Sequence, residues 1–280
     1  MIVALVDSGL GMLPTAGWLR HLAPELDLVL VMDPDGMPWG DKSAAFVTER
    51  LLSGGRTAVE RGADGVVVPC NTATVTAVDE LRAYLEPRVP VIGTVPAVKP
   101  AAATGRPFAV WATERTTVSD YQARLIRQFA DGVPAHRIAC PGLAEAADRG
   151  DMDAVAVAVA DAAERTPPAC ESVVLGCTHY PLVTEQIIRR LPPGTMIHDS
   201  AEAVARQTLR RLGLDPDAVR GTPDLPPGSV TVILSGREGP LPAAAAVYPI
   251  GQALAGATHI PAALLTPALS RTPLFAHEVE

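Results

Sequence analysis

Short runs of Val, Ile and Leu, separated by Ala- and Arg-rich stretches of helical length, constrain this sequence more than any other feature. The runs are IVALV, LDLVLVM, GVVVP, VPVIG, PFAVWA, RIACP, SVVLGC, TMIH and VTVIL. Runs so short and so rich in β-branched residues read as strands buried on both faces. Their alternation with helical segments is the pattern of βα units around mostly parallel sheets, so an α/β fold is expected. In such folds functional residues sit on loops just past the carboxyl ends of strands. Chemistry is therefore sought at those positions.

Two of the strand ends echo one another. DGVVVPCNTA, from Asp64, and ESVVLGCTHY, from Glu171, match acid with acid, paired valines with paired valines and cysteine with cysteine. Two such half-units suggest two pseudo-symmetric parallel-sheet domains facing each other across a ligand cleft. Chance likeness between two buried strands is the alternative. At 280 residues the chain is long enough to bury real cores without disulfides or a metal.

Composition removes several classes of function. The formal net charge is −8 and lysine occurs only as Lys42 and Lys99, which leaves no basic stripe to track a phosphate backbone, so no obligate nucleic-acid partner is expected. No run nears the ~18 apolar residues of a membrane span. The opening MIVALVDSGL has an acid at Asp7 and no basic residue, and reads as a buried strand rather than a secretory leader. A cytoplasmic chain with free thiols is the expectation. The four cysteines make no CxxC, and His21, His136, His198, His259 and His277 are dispersed, so no metal site is expected. DSGLG is not a dinucleotide fingerprint, and neither lysine sits where a Schiff base is plausible, so no cofactor is expected.

Cys70 ends a β run and precedes Asn71 and Thr72, which open a helical segment. A helix N-terminus favours a thiolate, so the thiol is expected to ionise below its free value of ~8.5 beside a place where a carboxylate could bind. Cys177 repeats the arrangement with Thr178 and His179, and Pro181 suits the first turn of a following helix. His179 could tune proton transfer at the thiol. Asp7 and Ser8 follow the first strand, where Asp7 could accept from an ammonium, orient a thiol, or simply cap a turn. An inert buried cysteine remains the alternative for either thiol. Cys140 and Cys170 lack polar neighbours in sequence and read as structural.

The motifs DSGLG at Asp7, PWG at Pro38, PCNTATV at Pro69, VPAVKPA at Val95, ATERTTVS at Ala112, GCTHYPLV at Gly176 and HDSAEAVA at His198 resemble, in order and spacing, the glutamate racemases of the aspartate/glutamate racemase superfamily. The likeness covers about residues 1 to 235. It implies a discontinuous first domain of residues 1–94 plus 206–280, with a Pro- and Ala-rich tail, and a second domain of residues 95–205. It also implies an active site in the cleft between them. On that resemblance Cys70 takes the α-proton of the D-isomer, assisted by Asp7, and Cys177 that of the L-isomer, assisted by His179. Asn71, Thr72 and Thr178 would hold the α-carboxylate. Ser8, Thr113 and Thr116 would line the amine and carboxylate sites, and Pro38, Trp39 and Gly40 the side-chain end.

The chain departs from the family pattern at five points: PWG replaces PYG, Met12 replaces the second glycine of a pair, Arg115 replaces a glycine, Asp148 replaces a glutamate, and the C-terminal region lacks the family's usual ending. Met12 is expected to add bulk near the cleft, and Trp39 and Arg115 to shape substrate choice. The function this implies is cofactor-independent racemisation of glutamate or a related acidic amino acid, for peptidoglycan or a specialised product. A sister racemase acting on aspartate, a hydantoin or a modified amino acid is the nearest rival. A catalytically silent amino-acid-binding protein and a Cys–His hydrolase are rivals of other classes. After about Arg237 the sequence is Pro- and Ala-rich with weak periodicity. It is open to packing on the surface, to a homodimer contact or to partial disorder.

Overall fold

All of the apolar runs named above form strands in a computed structural model that describes residues 1–217 and 226–266. In chain order these are β1 (Ile2–Asp7), β2 (Asp27–Met32), β3 (Gly65–Val68), β4 (Val91–Gly93), β5 (Phe108–Ala112), β6 (Ala135–Ala139), β7 (Ser172–Leu175), β8 (Met196–His198) and β9 (Val230–Leu234). A short β10 (Arg237–Glu238) was not legible as a strand. Two sheets result, in the orders β10-β9-β2-β1-β3-β4 and β6-β5-β7-β8. Within the second and the core of the first, neighbours are parallel, and only β10 runs antiparallel, against β9. With β9 and β10 set aside, both sheets read second, first, third, fourth strand of their own half. The sequence echo at β3 and β7 is therefore an echo of topology, since each is the third strand of its half.

Helices connect and cover the strands: α1 (Leu13–Leu22), α2 (Ala44–Glu60), α3 (Asn71–Leu85), α4 (Val98–Ala102), α5 (Glu114–Thr117), α6 (Asp120–Phe129), α7 (Leu143–Arg149), α8 (Met152–Arg165), α9 (Thr184–Arg190), α10 (Ala201–Arg211) and α11 (Pro249–Ala255). Their starts follow local chemistry. Ser43, Ser119 and Asp151 accept from the backbone N–H groups of Phe46, Gln122 and Ala154, satisfying donors that a helix start leaves free. Asp199 accepts from Ala201 N at the start of α10.

The alternation of side chains along a strand gives each sheet two apolar faces. On β1, Val3 and Leu5 belong to a large cluster that passes through Leu13, Leu19 and Leu209 to Ala109, Trp111 and Val173 of the second sheet. Ala4 and Val6 face the other way, toward Leu51, Ala73 and Leu81. The halves thus share one continuous core along one side while their strand ends converge on the other. The chain crosses between sheets after β4 and after β8. The hydroxyls of Thr94 and Ser200, one on each crossing, lie 3.0 Å apart in a hydrogen bond.

The described part of the C-terminal region packs on this core and is not loose. Ile250, Leu254 and Ile260 are buried there, Tyr248 Oη donates to Ala147 O at 2.5 Å, and His21 Nδ1 meets Ile260 O at 2.9 Å. Residues 218–225 and 267–280 of the expected first domain and its tail lie outside the described residues. Among the described residues no helix is long and apolar enough to cross a membrane.

Candidate active site

The loops after β1, β3, β5 and β7 meet around one cavity of about 40 Å³. Ser8, Pro38, Trp39, Gly40, Cys70, Asn71, Thr72, Thr113, Thr116, Cys177, Thr178 and His179 all line it. Of the site residues named from sequence only Asp7 does not, because it lies one layer deeper, beside a second hollow behind Trp39. Residues as far apart in the chain as Ser8 and His179 are thereby gathered at matched strand ends, with Cys70 after β3 and Cys177 after β7.

Cys70 is the N-cap of α3. Its thiol does not ionise more easily for that. Burial pushes it up, the nearby Asp7 adds to the effect, and the Ala73 N–H only partly offsets them. The expectation of a depressed thiol from the helix end is therefore overturned at Cys70 by desolvation. Asp7 is itself buried. Its Oδ1 accepts from Ser8 N at 2.6 Å and Ser8 Oγ at 3.3 Å, and its Oδ2 is buried without a well-formed hydrogen bond. Burial raises its carboxyl to about 7, against the opposing pull of His179, the Ser8 N–H and the Cys70 thiol. Such a group can hold or release a proton near neutrality.

On the other side, Cys177 Sγ lies 3.8 Å from His179 Nδ1. Cys177 leads into a 3-10 turn, Tyr180–Val183, and α9 begins only after it. It therefore does not sit at an α-helix start, as Cys70 does. His179 Nε2 is 3.0 Å from Asp148 Oδ1, which also accepts from Leu10 N at 2.7 Å. Burial pulls the imidazolium down, but the Asp148 bond, with Cys177, outweighs it and holds the ring well above its ordinary range. Burial likewise raises Asp148, and the His179 bond more than reverses it.

Asp148 stood out in the sequence only as a departure from the family pattern. Two further contributors were not assigned a role at the site. A Cβ on Gly9 would lie 2.1 Å from Asp148 Oδ1, and one on Gly11 would lie 2.7 Å from His179 Nδ1. The alternate glycines of DSGLG thus clear the space in which the Asp148–His179 pair is seated. That alternation was the available signal.

Two expectations about substrate-shaping residues change. Met12 is fully buried in the core and does not line the cavity. Arg115 is exposed and also stays out of the cavity; its guanidinium donates to the carbonyls of Gly40 at 3.4 Å and of Lys42. Trp39 does line the cavity, but its indole N–H is spent on Asp33 Oδ2 at 2.9 Å. Asn71 Nδ2 donates across the cleft to Gly176 O at 2.8 Å, and its Oδ1 is buried without a partner. Among the described residues no group of three or more His, Cys, Asp or Glu is placed to hold a metal ion.

This arrangement defines a class: two α/β halves of like topology, each contributing from its third strand end one thiol to a shared cavity, with a titratable partner beside each thiol. Residues 21–208 match the family model described as Asp/Glu/Hydantoin racemase, and the chain belongs to that family as an amino-acid racemase. It is 38% identical over 216 residues to a glutamate racemase of Pseudomonas entomophila, covering 75% of this chain and 81% of that one. It is 39% identical over 220 residues to one of Methylococcus capsulatus, covering 76% and 80%. Among solved structures it resembles the Escherichia coli glutamate racemase in complex with L-glutamate and the activator UDP-MurNAc-ala, with a TM-score of 0.75 and 29% identity over 90% of this chain and 94% of that one. It also resembles the Thermus thermophilus glutamate racemase in complex with β-chloro-D-alanine, with a TM-score of 0.65 and 27% identity over 90% and 92%.

Proposed function

We propose that this racemase interconverts L- and D-glutamate without a cofactor, using Cys70 and Cys177 as opposed acid/base groups. The single observation that carries the reading is the presence of both thiols on one cavity, each from the equivalent strand end of its own half. Inversion at a tetrahedral carbon by proton transfer needs a base on one face and an acid on the other. Two halves related by pseudo-symmetry supply that pair, and residues 1–94 with 206–280, and 95–205, are the proposed domains.

In the direction from D to L, the Cys70 thiolate takes the α-proton and the electron pair of the C–H bond passes to the α-carbon. The Cys177 thiol then gives its proton to the opposite face, leaving Cys177 as thiolate and Cys70 as thiol. The reverse direction exchanges the roles. Burial makes the Cys70 thiol hard to ionise, so an arriving ammonium group beside Cys70 favours the thiolate at the moment it is needed. Asp7, at about 7 and beside the thiol, is suited to accept its proton. His179, kept cationic by Asp148, stands 3.8 Å from Cys177 Sγ, where it can hydrogen-bond the thiol or the substrate as the proton moves.

The carbanion-like state needs donors at the α-carboxylate. Asn71, Thr72 and Thr178 are proposed for that role, with Ser8, Thr113 and Thr116 around the amine and carboxylate. The buried, unpartnered Oδ1 of Asn71 is an acceptor and suits the substrate ammonium; only the N–H groups of Asn71 can serve the carboxylate. Pro38, Trp39 and Gly40 close the side-chain end.

The test is stereochemical. In Cys70→Ala, racemisation should fall by a factor of ~10³ or more in both directions, about 4 kcal/mol in the barrier. Slow exchange of the L-isomer's α-hydrogen with deuterated solvent should survive without inversion. Cys177→Ala should show the mirror pattern with the D-isomer. A single mutant that interconverts the enantiomers near the unaltered rate removes that cysteine from the mechanism.

A further inference from the structure

We propose that Asp33 is a positioning residue for racemisation, holding the indole of Trp39 as a fixed wall of the cavity. The inference rests on reading that cavity as the amino-acid site.

Asp33 follows β2 and is buried, yet it is a full acceptor. Its Oδ2 takes the Trp39 indole N–H at 2.9 Å and Arg50 Nε at 2.7 Å. Its Oδ1 takes the second Arg50 N–H and, at 3.2 Å, the Ser235 hydroxyl from the β9–β10 turn. Its backbone is equally engaged: Asp33 N donates to Ser8 O at 3.2 Å, and Asp33 O accepts from Gly36 N and Met37 N, both at 3.0 Å. One residue therefore joins the Asp7–Ser8 loop, the turn that carries Pro38, Trp39 and Gly40, helix α2 and the β9–β10 turn. Gly36 permits this, since a Cβ there would lie 2.1 Å from Asp33 Oδ2.

A plain structural ion pair would need only Arg50. The Trp39 bond adds a direction, because the indole separates the thiol cavity from a hollow of about 70 Å³ that Asp33 and Arg50 line on its far side. A hollow of that size gives the ring somewhere to swing. The bond to a charge-paired carboxylate, stronger than a neutral one, opposes the swing. The tryptophan could not be held this way by an apolar neighbour, which would also leave its N–H buried and unpaired.

The consequence is a coupling between two residues that can be measured as a mutant cycle. Asp33→Ala should raise KM for glutamate about tenfold and lower kcat by much less. Trp39→Phe removes the N–H but keeps a ring, and in that background Asp33→Ala should shift KM by less than about twofold. Asp33→Asn, which keeps an acceptor oxygen for the indole, should lie between Asp33→Ala and the unaltered enzyme, and it replaces Asp33→Ala in the cycle if the latter does not fold. Melting temperatures recorded alongside separate loss of the Arg50 pair from loss of the wall. The proposal is overturned if the Asp33 variants melt lower at unchanged KM, or if the KM shift is equal in the Trp39→Phe background. If the unaltered protein racemises no amino acid, the reading of the site fails instead. The same cycle read as Kd for glutamate by calorimetry then decides whether Asp33 acts through Trp39.

Discussion

Asp7 and His179 are both buried, and both titrations lower the stability of the protein as pH rises. Asp7 has its carboxyl raised from 3.8 to about 7, so between pH 4 and 7 the folded chain keeps a proton that the unfolded chain has released. Stability falls as pH rises through that window, by at most about 4 kcal/mol. His179 is also raised, so its contribution is fully present below its ordinary value and is lost as pH rises through the folded one. Replacing Asp7 by Asn should therefore raise the melting temperature at pH 8 relative to the unaltered protein, with little change at pH 4, while racemisation falls. Thermal melts at the two pH values check this, and an equal shift at both would show that the Asp7 carboxyl is not protonated near neutrality. At this scale the sequence showed which residue types stood at strand ends. It did not show that burial, rather than a helix end, decides how readily Cys70 ionises, because burial depends on every neighbour brought up by the fold.

Among the elements, the strands were legible because apolar runs of four to seven residues, most of them rich in Val, Ile and Leu, have few alternatives in a chain with this rhythm. The two-residue β10 and the C-terminal helix α11 were not. α11 comes from a Pro- and Ala-rich stretch with weak periodicity, and it is defined by packing rather than propensity. Leu254 is fully buried against the core, and Tyr248 beside it ties the segment to Ala147, the residue before Asp148. Leu254→Ala should cost about 2–5 kcal/mol of stability from lost burial and the cavity it leaves. Chemical denaturation measures this directly. A change below about 0.5 kcal/mol would mean that the segment does not contribute to the core in solution.

In the molecule as a whole, the two halves share a core on one side and only a few polar contacts across the mouth of the cavity. Arg115, from α5 of the second half, donates to Gly40 O and Lys42 O of the first. Removing that link in Arg115→Gly should raise KM by roughly threefold, about 0.7 kcal/mol, with the far-ultraviolet circular dichroism unchanged. Steady-state kinetics in both directions test it, and an unaltered KM would show the link to be a surface contact without effect on the site.

The rhythm of strands, the matched cysteines and the absence of a basic stripe were properties of local sequence, set by side-chain periodicity and residue chemistry alone. They sufficed for the fold class, for two like halves and for the strand-end residues around Cys70 and Cys177, while Pro38, Trp39, Gly40, Thr113 and Thr116 came only with the family resemblance. Asp148 against His179, the glycines that make room for that pair, the burial of Met12 away from the cleft and the bond that turns Trp39 toward Asp33 belonged to the tertiary structure. Each depends on contacts between residues that are distant in the chain or on the exact turn of a loop, and such contacts exist only once two sheets and a shared core have set the distances between them.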